Sequence, residues 1–305
     1  MKVVVAGGTG FLGTPLVSQL RNSGNDVSVL TRRSAGPGQI TWSPDGTTGP
    51  WAEAVDGADA VINLAGESIA GHRWTPAYKA CIRDSRIRAT RSLVAAIHAS
   101  ARKPAAFLSA SAVGYYGSRG DDELTEESAP GDDFLATVCR AWEAEALRAA
   151  GATRVVLLRT GLPLDRSGGA LPRIALPFRF FAGGPVGSGR QYWSWIHRDD
   201  WVAMTIWASH ASGVSGPLNL TAPTPVTNRE FAAALGRVLK RPSSLAAPAF
   251  ALRLLLGEMA DALLLAGQRV IPAKAEAHGF RFRYAALGPA LVAAWRPRIT
   301  TASGP

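Results

Sequence analysis

The chain has 305 residues, 47% of them hydrophobic, with 33 lysines and arginines against 23 aspartates and glutamates and a formal net charge of +10. That length holds one large α/β domain plus a smaller annex, and the apolar share can fill a real core. The positive balance does not mark a nucleic-acid binder, because lysine is scarce, no arginine run exceeds two, and no basic stripe interleaved with aromatics occurs.

The segment Val3-Val4-Val5-Ala6 predicts a strand that begins at once, so no signal peptide is expected. It runs into Gly7-x-x-Gly10-x-x-Gly13 and then the amphipathic stretch Leu12 to Leu20. Strand, glycine turn and helix in this order predict a dinucleotide cradle. Gly7 permits a tight turn, Gly10 lets a pyrophosphate approach the backbone, and Gly13 lets the helix pack on the strand. The helix then aims its free N–H groups at the phosphates. A second strand, Asp26 to Thr31, ends in Thr31-Arg32-Arg33 rather than in Asp or Glu. A carboxylate there would hold the ribose 2′-hydroxyl of NAD, whereas an arginine offers a fork of donors to a 2′-phosphate. NADP is therefore expected over NAD; the plainer reading is a solvated loop pair.

Gln39 to Trp42 reads as a short third strand, Ala58 to Leu64 as an apolar fourth, and Thr75 to Ser100 as a long helix. Ala105 to Ser109 and Thr153 to Arg159 give the fifth and sixth strands, with a helix from Phe134 to Ala150 between them. This alternation predicts an α/β fold with a doubly wound parallel sheet. Beyond Gly161 the pattern loosens into Gly/Pro-rich loops of the kind that shape a substrate cleft. Asp199 or Asp200 is placed to cap a helix from Trp201 to Ser209. Leu245 to Gly267 is apolar but interrupted by Arg253, Glu258 and Asp261, which predicts two short buried or interfacial helices and not a membrane span. Phe280 and Phe282 alternate like a short strand. The expected division is a nucleotide-binding domain over 1–240, a small, mostly helical domain covering the cleft over 241–299, and a disordered tail over 300–305. Cys81 and Cys139 lack metal-ligand spacing and read as buried reduced thiols in a cytoplasmic protein without a metal. Neither nucleic acid nor membrane is expected as a partner, and a homodimer stays open.

The chain resembles the extended, atypical short-chain dehydrogenase/reductases, specifically their YfcH-like epimerase branch. The resemblance rests on Gly7 to Gly13, Asn63-Leu64-Ala65-Gly66-Glu67, Arg83-Asp84-Ser85-Arg86, Ser109 to Gly117, Trp195-Ile196-His197, Asn219 to Pro223, and the C-terminal strings Gly267 to Pro272 and Gly279 to Phe282. It implies an NADP site built from Gly7, Thr9, Gly10, Phe11, Leu12 and Gly13 around the phosphates. It adds Thr31 and Arg32 at the adenosine end, Leu64 and Ala65 lining the cofactor, and Arg86 reaching it from the long helix. The plainer reading of Arg86 is a surface arginine paired with Asp84.

The wider superfamily uses a serine, a tyrosine and a lysine four residues after the tyrosine, the lysine lowering the tyrosine's pKa. None of Tyr78, Tyr115, Tyr116, Tyr192 and Tyr284 is followed by lysine at that spacing. Phe134 stands where the tyrosine is expected and Val138 where the lysine is expected. The remaining candidates are Ser111 to bind a substrate oxygen, Tyr115 or Tyr116 as acid/base with Tyr115 slightly favoured, or else as paired aromatics walling a pocket, and His197 as donor or proton shuttle, or else as a hydrogen-bonded structural histidine. An unaided tyrosine titrates near ~10 and needs a cation beside it. Two functions stay open: an NADP-dependent oxidoreductase or epimerase acting on a small hydroxyl or carbonyl compound, and a non-catalytic NADP(H)-binding protein that senses redox state or serves a partner. The cell-division labels carried within this branch suit the second.

Overall fold

The structure, a computed structural model, describes residues 1–33 and 36–296, so the tail expected over 300–305 lies outside the described residues. Seven strands form one parallel sheet: β1 (Lys2–Ala6), β2 (Asp26–Thr31), β3 (Gln39–Thr41), β4 (Ala60–Asn63), β5 (Ala106–Ala112), β6 (Arg154–Thr160) and β7 (Gly216–Leu220). Their spatial order is β7-β6-β5-β4-β1-β2-β3, so the strand order reverses between β1 and β4. A parallel sheet covered on both faces needs strands that are apolar throughout, and every residue of β4 is buried.

Successive strand residues serve opposite faces. Val3 and Val5 pack on one side against Leu16 and Leu20 of α1 (Gly13–Asn22). Val4 and Ala6 pack on the other against Leu93 and Ile97 of α2 (Pro76–Ala99) and Ala146 of α3 (Phe134–Leu147). Thr75 caps α2 and Asp133 caps α3 through their side chains, whereas α1 has no side-chain cap. The first turn of α1 thus leaves its N–H groups beside the glycine turn.

The region after Gly161 is more ordered than its loop-like composition suggests. It holds α4 (Leu171–Arg179), α5 (Arg198–His210), the seventh sheet strand and α6 (Asn228–Leu239), whose start carries a reciprocal Thr227–Glu230 capping box. Leu245 to Gly267 contains α7 (Ala249–Leu256), a helical turn over Glu258–Ala260 and a π-turn over Asp261–Leu265. A last helix, α8 (Leu287–Trp295), buries Leu287 and Leu291 against Leu164, Phe178, Trp195 and Phe231.

Three expectations are corrected. The cap of α5 is His197, whose Nδ1 accepts from the Asp199 N–H, while both aspartates lie inside the first turn. Asp200 instead accepts the backbone N–H groups of Arg283 and Tyr284, so an acid that would serve as a cap ties the C-terminal segment down. Phe280 and Phe282 lie in irregular chain, packed on each other and, through Phe280, on Trp207. The short strand of this segment is Arg269–Val270, paired in parallel with Glu123–Leu124. Cys139 is buried, but Cys81 is exposed on α2.

Candidate functional site

The reversal of strand order opens a crevice at the carboxyl ends of β1 and β4, where ligands bind in sheets of this kind. Gly7 has φ +78°, and a Cβ there would stand 2.7 Å from the Leu64 carbonyl carbon and 2.9 Å from the Ala65 nitrogen. The loops after β1 and β4 therefore touch through a glycine. A Cβ on Gly13 would lie 2.2 Å from the Gly7 oxygen, so the helix can pack only on a bare backbone. Gly10 differs: its Cβ would meet only the Gly7 oxygen, at 3.3 Å, and otherwise open space. Protein fills the room at positions 7 and 13, and at position 10 the room faces outward. The residues present fit a pyrophosphate. A cavity of about 450 Å³ adjoins this turn, lined by Thr9, Gly10, Phe11, Thr14, Ser167 and Arg198.

The other residues expected at a cofactor are placed as follows. The Phe11 ring fills the space that side chains at Gly168 and Gly169 would need, so it props the cleft loop above the turn. Leu12 is half-buried against the core on the α1 side of the sheet. Thr31 and Arg32 stand at the carboxyl end of β2 with no acid beside them in sequence, and Arg32 is exposed. Asn63 at the end of β4 accepts the Ala65 N–H and donates to Thr90, fixing the Leu64–Ala65 loop. Arg86 does not pair with Asp84, which Arg83 holds at 2.8 Å. It donates to the Ile82 carbonyl and lies against Trp142, and burial lowers its pKa from the ordinary arginine value.

The four candidate catalytic residues have different surroundings. Ser111, at the end of β5, is buried and donates to Glu143 Oε1 at 2.6 Å, so its hydroxyl turns toward α3. Glu143 holds Arg159 of β6 through two bonds of 2.9 and 2.8 Å. Arg159 donates in turn to the Tyr116 hydroxyl at 3.0 Å, and that hydroxyl donates to Asn219 Oδ1 at 2.7 Å. Tyr116 is fully buried, and desolvation pushes its pKa up to about 12 despite the nearby guanidinium. Its hydroxyl is closed off from solvent between Arg159 and Asn219, which corrects its placement among the groups that could meet substrate. Burial works against the charge on Arg159, but the bonds to Glu143 outweigh it and raise the pKa above the ordinary value.

His197 is buried, caps α5 and lies against the Tyr284 ring at a centroid separation of 4.0 Å and a tilt of 39°, which is a structural posture. Tyr115 alone of the four is partly exposed, held on the single 3₁₀ turn Val113–Tyr116. The Arg159 guanidinium lies 3.5 Å from its ring centroid. Phe134 opens α3 with its ring edge-on to Trp74, and Val138 one turn later is buried.

Sequence reading missed Glu143, Arg159 and Arg198. The signal was present for the first two. Arg159 ends the apolar run Val155-Val156-Leu157-Leu158, and Glu143 falls on the buried stripe of α3 beside Trp142 and Ala146. Two opposite charges inside apolar patterns point to one buried pair. Arg198, which lines the cavity and pairs with Asp165 at 2.8 Å, carried no comparable signal.

Comparison with known proteins gives a consistent result. Residues 3–220 match the NAD dependent epimerase/dehydratase family model, and residues 247–294 match a domain of unknown function, DUF1731. The Bacillus subtilis epimerase family protein YfhF is 42% identical over 299 residues, covering 95% of this chain and 97% of its own. The chloroplastic SDR39U1 homolog of Arabidopsis thaliana is 44% identical over 292 residues, covering 93% of this chain and 84% of its own. Among solved structures, human epimerase family protein SDR39U1 with NADPH superposes with a TM-score of 0.90 at 37% identity, covering 96% of this chain and 99% of that one.

Proposed function

The chain belongs to the NAD dependent epimerase/dehydratase family, and from that premise we propose that it binds NADPH and acts as an oxidoreductase or epimerase on a small hydroxyl- or carbonyl-bearing substrate. The observation that carries the reading is the glycine turn, closed by backbone at Gly7 and Gly13 and open at Gly10. A nicotinamide dinucleotide held there would supply or accept hydride. The Gly10 backbone and the uncapped start of α1 would receive the phosphates, and Arg32 with Thr31 would receive a 2′-phosphate. The human relative was crystallised with NADPH, which supports the choice of cofactor.

Tyr115 is the residue we assign to proton transfer. Its hydroxyl would donate to the substrate oxygen as a carbonyl is reduced and take the proton back in the reverse direction. Arg159 takes the position of the missing lysine in one respect only: its guanidinium lies against the tyrosine ring, where it favours a developing phenolate. Ser111 and Tyr116 act below the site, holding Glu143 and Arg159 in place.

One set of observations favours a second reading, that of a non-catalytic NADP(H)-binding protein. Phe134 and Val138 bring no hydroxyl and no amine to the start of α3, and Ser111, Tyr116 and His197 are engaged with protein groups. Calorimetry with NADPH, followed by a panel of carbonyl compounds watched for NADPH oxidation, separates the two. Binding with oxidation supports the enzyme. Binding without oxidation, and without inversion of a hydroxyl-bearing compound (which an epimerase performs with no net NADPH consumed), supports the second reading, and no binding overturns both.

A further inference from the structure

An eight-residue helix in a folded protein normally buries one face fully, yet no residue of α7 is fully buried, and the inner stripe Ala249, Leu252 and Leu256 is only half-buried. Its sequence, Ala249-Phe250-Ala251-Leu252-Arg253-Leu254-Leu255-Leu256, carries one charge. Phe250 and Leu254, one turn apart on the same stripe, are 73% and 80% exposed, and Leu255 is 71% exposed. The chain entering this helix is bonded to the loop that follows α4: Leu245 N–H donates to the Gly183 carbonyl, and Ala247 N–H to the Pro185 carbonyl. At the end of α4 Phe180 and Phe181 are 74% and 62% exposed, and Leu245 beside them is 60% exposed. Phe181 has φ +59°, a conformation that a bulky residue rarely keeps and that here accompanies an outward aromatic pair.

We propose that this face, formed by the end of α4, Leu245 and α7, docks on the surface of an anionic lipid bilayer. Two observations choose that occupant. Side chains exposed to this degree stand out from the surface and do not line a groove, which suits insertion into a fluid phase better than a shaped partner. The charges around them that are not in ion pairs have one sign. Arg179, Lys240 and Arg241 are exposed, and Arg241 lies over the Phe181 ring at 4.7 Å. The nearby acids are already neutralised, Asp261 by Arg253 at 2.9 Å and Glu258 by Lys79 at 2.7 Å. Phenylalanine and leucine projecting between unpaired cations match an interface where acyl chains lie beneath anionic headgroups. A second copy of the chain would instead set the same cations against one another across a two-fold axis. No helix among the described residues is long and apolar enough to cross a membrane, so this is a surface contact. It departs from the expectation that the chain has no membrane partner.

The test is flotation of the full chain, with NADPH present, on vesicles of phosphatidylcholine alone and of phosphatidylcholine mixed with phosphatidylglycerol. The protein should float with the mixed vesicles, remain at the bottom with the neutral ones, and detach as salt is raised. Phe180→Glu with Leu254→Glu should reduce flotation by about tenfold or more while thermal melting and NADPH binding stay unchanged, because both side chains face solvent. Absence of flotation on the mixed vesicles overturns the proposal, as does undiminished flotation of the double variant. A concentration-dependent dimer in light scattering that the double variant dissociates also overturns it, and assigns the face to a second copy. None of these readouts depends on turnover, so the proposal and the assigned activity stand or fall separately.

Discussion

The Arg159 guanidinium lies 3.5 Å from the ring centroid of Tyr115 while the same group donates to the hydroxyl of Tyr116 at 3.0 Å. One cation thus faces two adjacent tyrosines in different ways. It bonds the buried hydroxyl and leaves the other ring partly exposed, so the two residues answer differently to the same substitution.

Removing the Tyr115 hydroxyl should remove the proton donor and leave the fold alone. Tyr115→Phe is expected to slow turnover by about 10²–10⁴ with NADPH affinity nearly unchanged. Tyr116→Phe should act on stability, because Asn219 Oδ1 loses the hydroxyl that it accepts. A cost of about 1–3 kcal/mol in denaturant unfolding is expected. Steady-state rates and urea titrations on both variants check the assignment, and full activity in Tyr115→Phe rejects it.

The alkaline side of the stability profile reports on the same buried hydroxyl. Burial pushes the Tyr116 hydroxyl up to about 12 in the folded chain, from 10.0 ordinarily. The unfolded chain therefore loses its proton first as pH rises, and stability present below pH 10 is lost between 10 and about 12. Cys139, also raised to about 12 by burial, adds loss of the same sign beginning near its ordinary 9.0. Tyr116→Phe should flatten the tyrosine's share, roughly 2–3 kcal/mol across that window. Unfolding free energies measured from pH 9 upward on both proteins test this, and identical slopes count against a buried Tyr116.

The three glycines of the turn should separate binding from folding. Gly10→Val places a side chain where the pyrophosphate is proposed to lie and meets little protein, so NADPH binding should be lost with the melting temperature almost retained. Gly13→Ala drives a Cβ to 2.2 Å from the Gly7 oxygen and should destabilise the fold itself. Calorimetry and thermal melting on the pair give the answer. Normal NADPH affinity in Gly10→Val would place the phosphates elsewhere.

Local pattern carried most of the sheet. Six of its strands and the helices α1 to α3 were legible because apolar runs, glycine turns and the 3.6-residue period are short-range signals. The seventh strand, Gly216–Leu220, was not, because its neighbour β6 lies far away in sequence and its first two residues are Gly216 and Pro217. The aspartates before α5 looked like caps because their helix-start preference is local, whereas the bonds of Asp200 to Arg283 and Tyr284 span more than eighty residues. Which tyrosine turns inward was undecidable from extended-chain alternation, since Val113–Tyr116 is a 3₁₀ turn. The charged pair Glu143–Arg159 was visible as two misfits and became a site element only when β6 and α3 came together.

The C-terminal segment is held by more than apolar contact. The Ile271 carbonyl accepts from Asn219, Lys274 N–H donates to Glu126, and Asp200 receives two N–H groups while burial raises its pKa above the ordinary value. Deletion after Lys240 would strip these partners from buried groups and uncover the cluster around Phe178 and Phe231. An insoluble or molten product is expected, with loss of near-ultraviolet circular dichroism and binding of a hydrophobic dye. A soluble truncated chain that binds NADPH would show the segment to be dispensable.

Cofactor choice depends on the end of β2. Thr31 and the exposed Arg32 stand there with no Asp or Glu next to them in sequence, so a ribose 2′-hydroxyl lacks the carboxylate that NAD-binding sites offer it while a 2′-phosphate finds a guanidinium. NADPH should bind at least about tenfold more tightly than NADH, a difference of roughly 1.4 kcal/mol. Because the cation is exposed, the preference should shrink as ionic strength rises, unlike contacts made inside the glycine turn. Arg32→Asp reverses the charge and supplies the missing carboxylate, so it should lower affinity for NADPH and raise that for NADH. Arg32→Gln should only remove the preference. Calorimetric titration of both nucleotides into the three proteins at two salt concentrations measures each term, and equal affinities in the unmodified chain would place the 2′-phosphate away from Arg32.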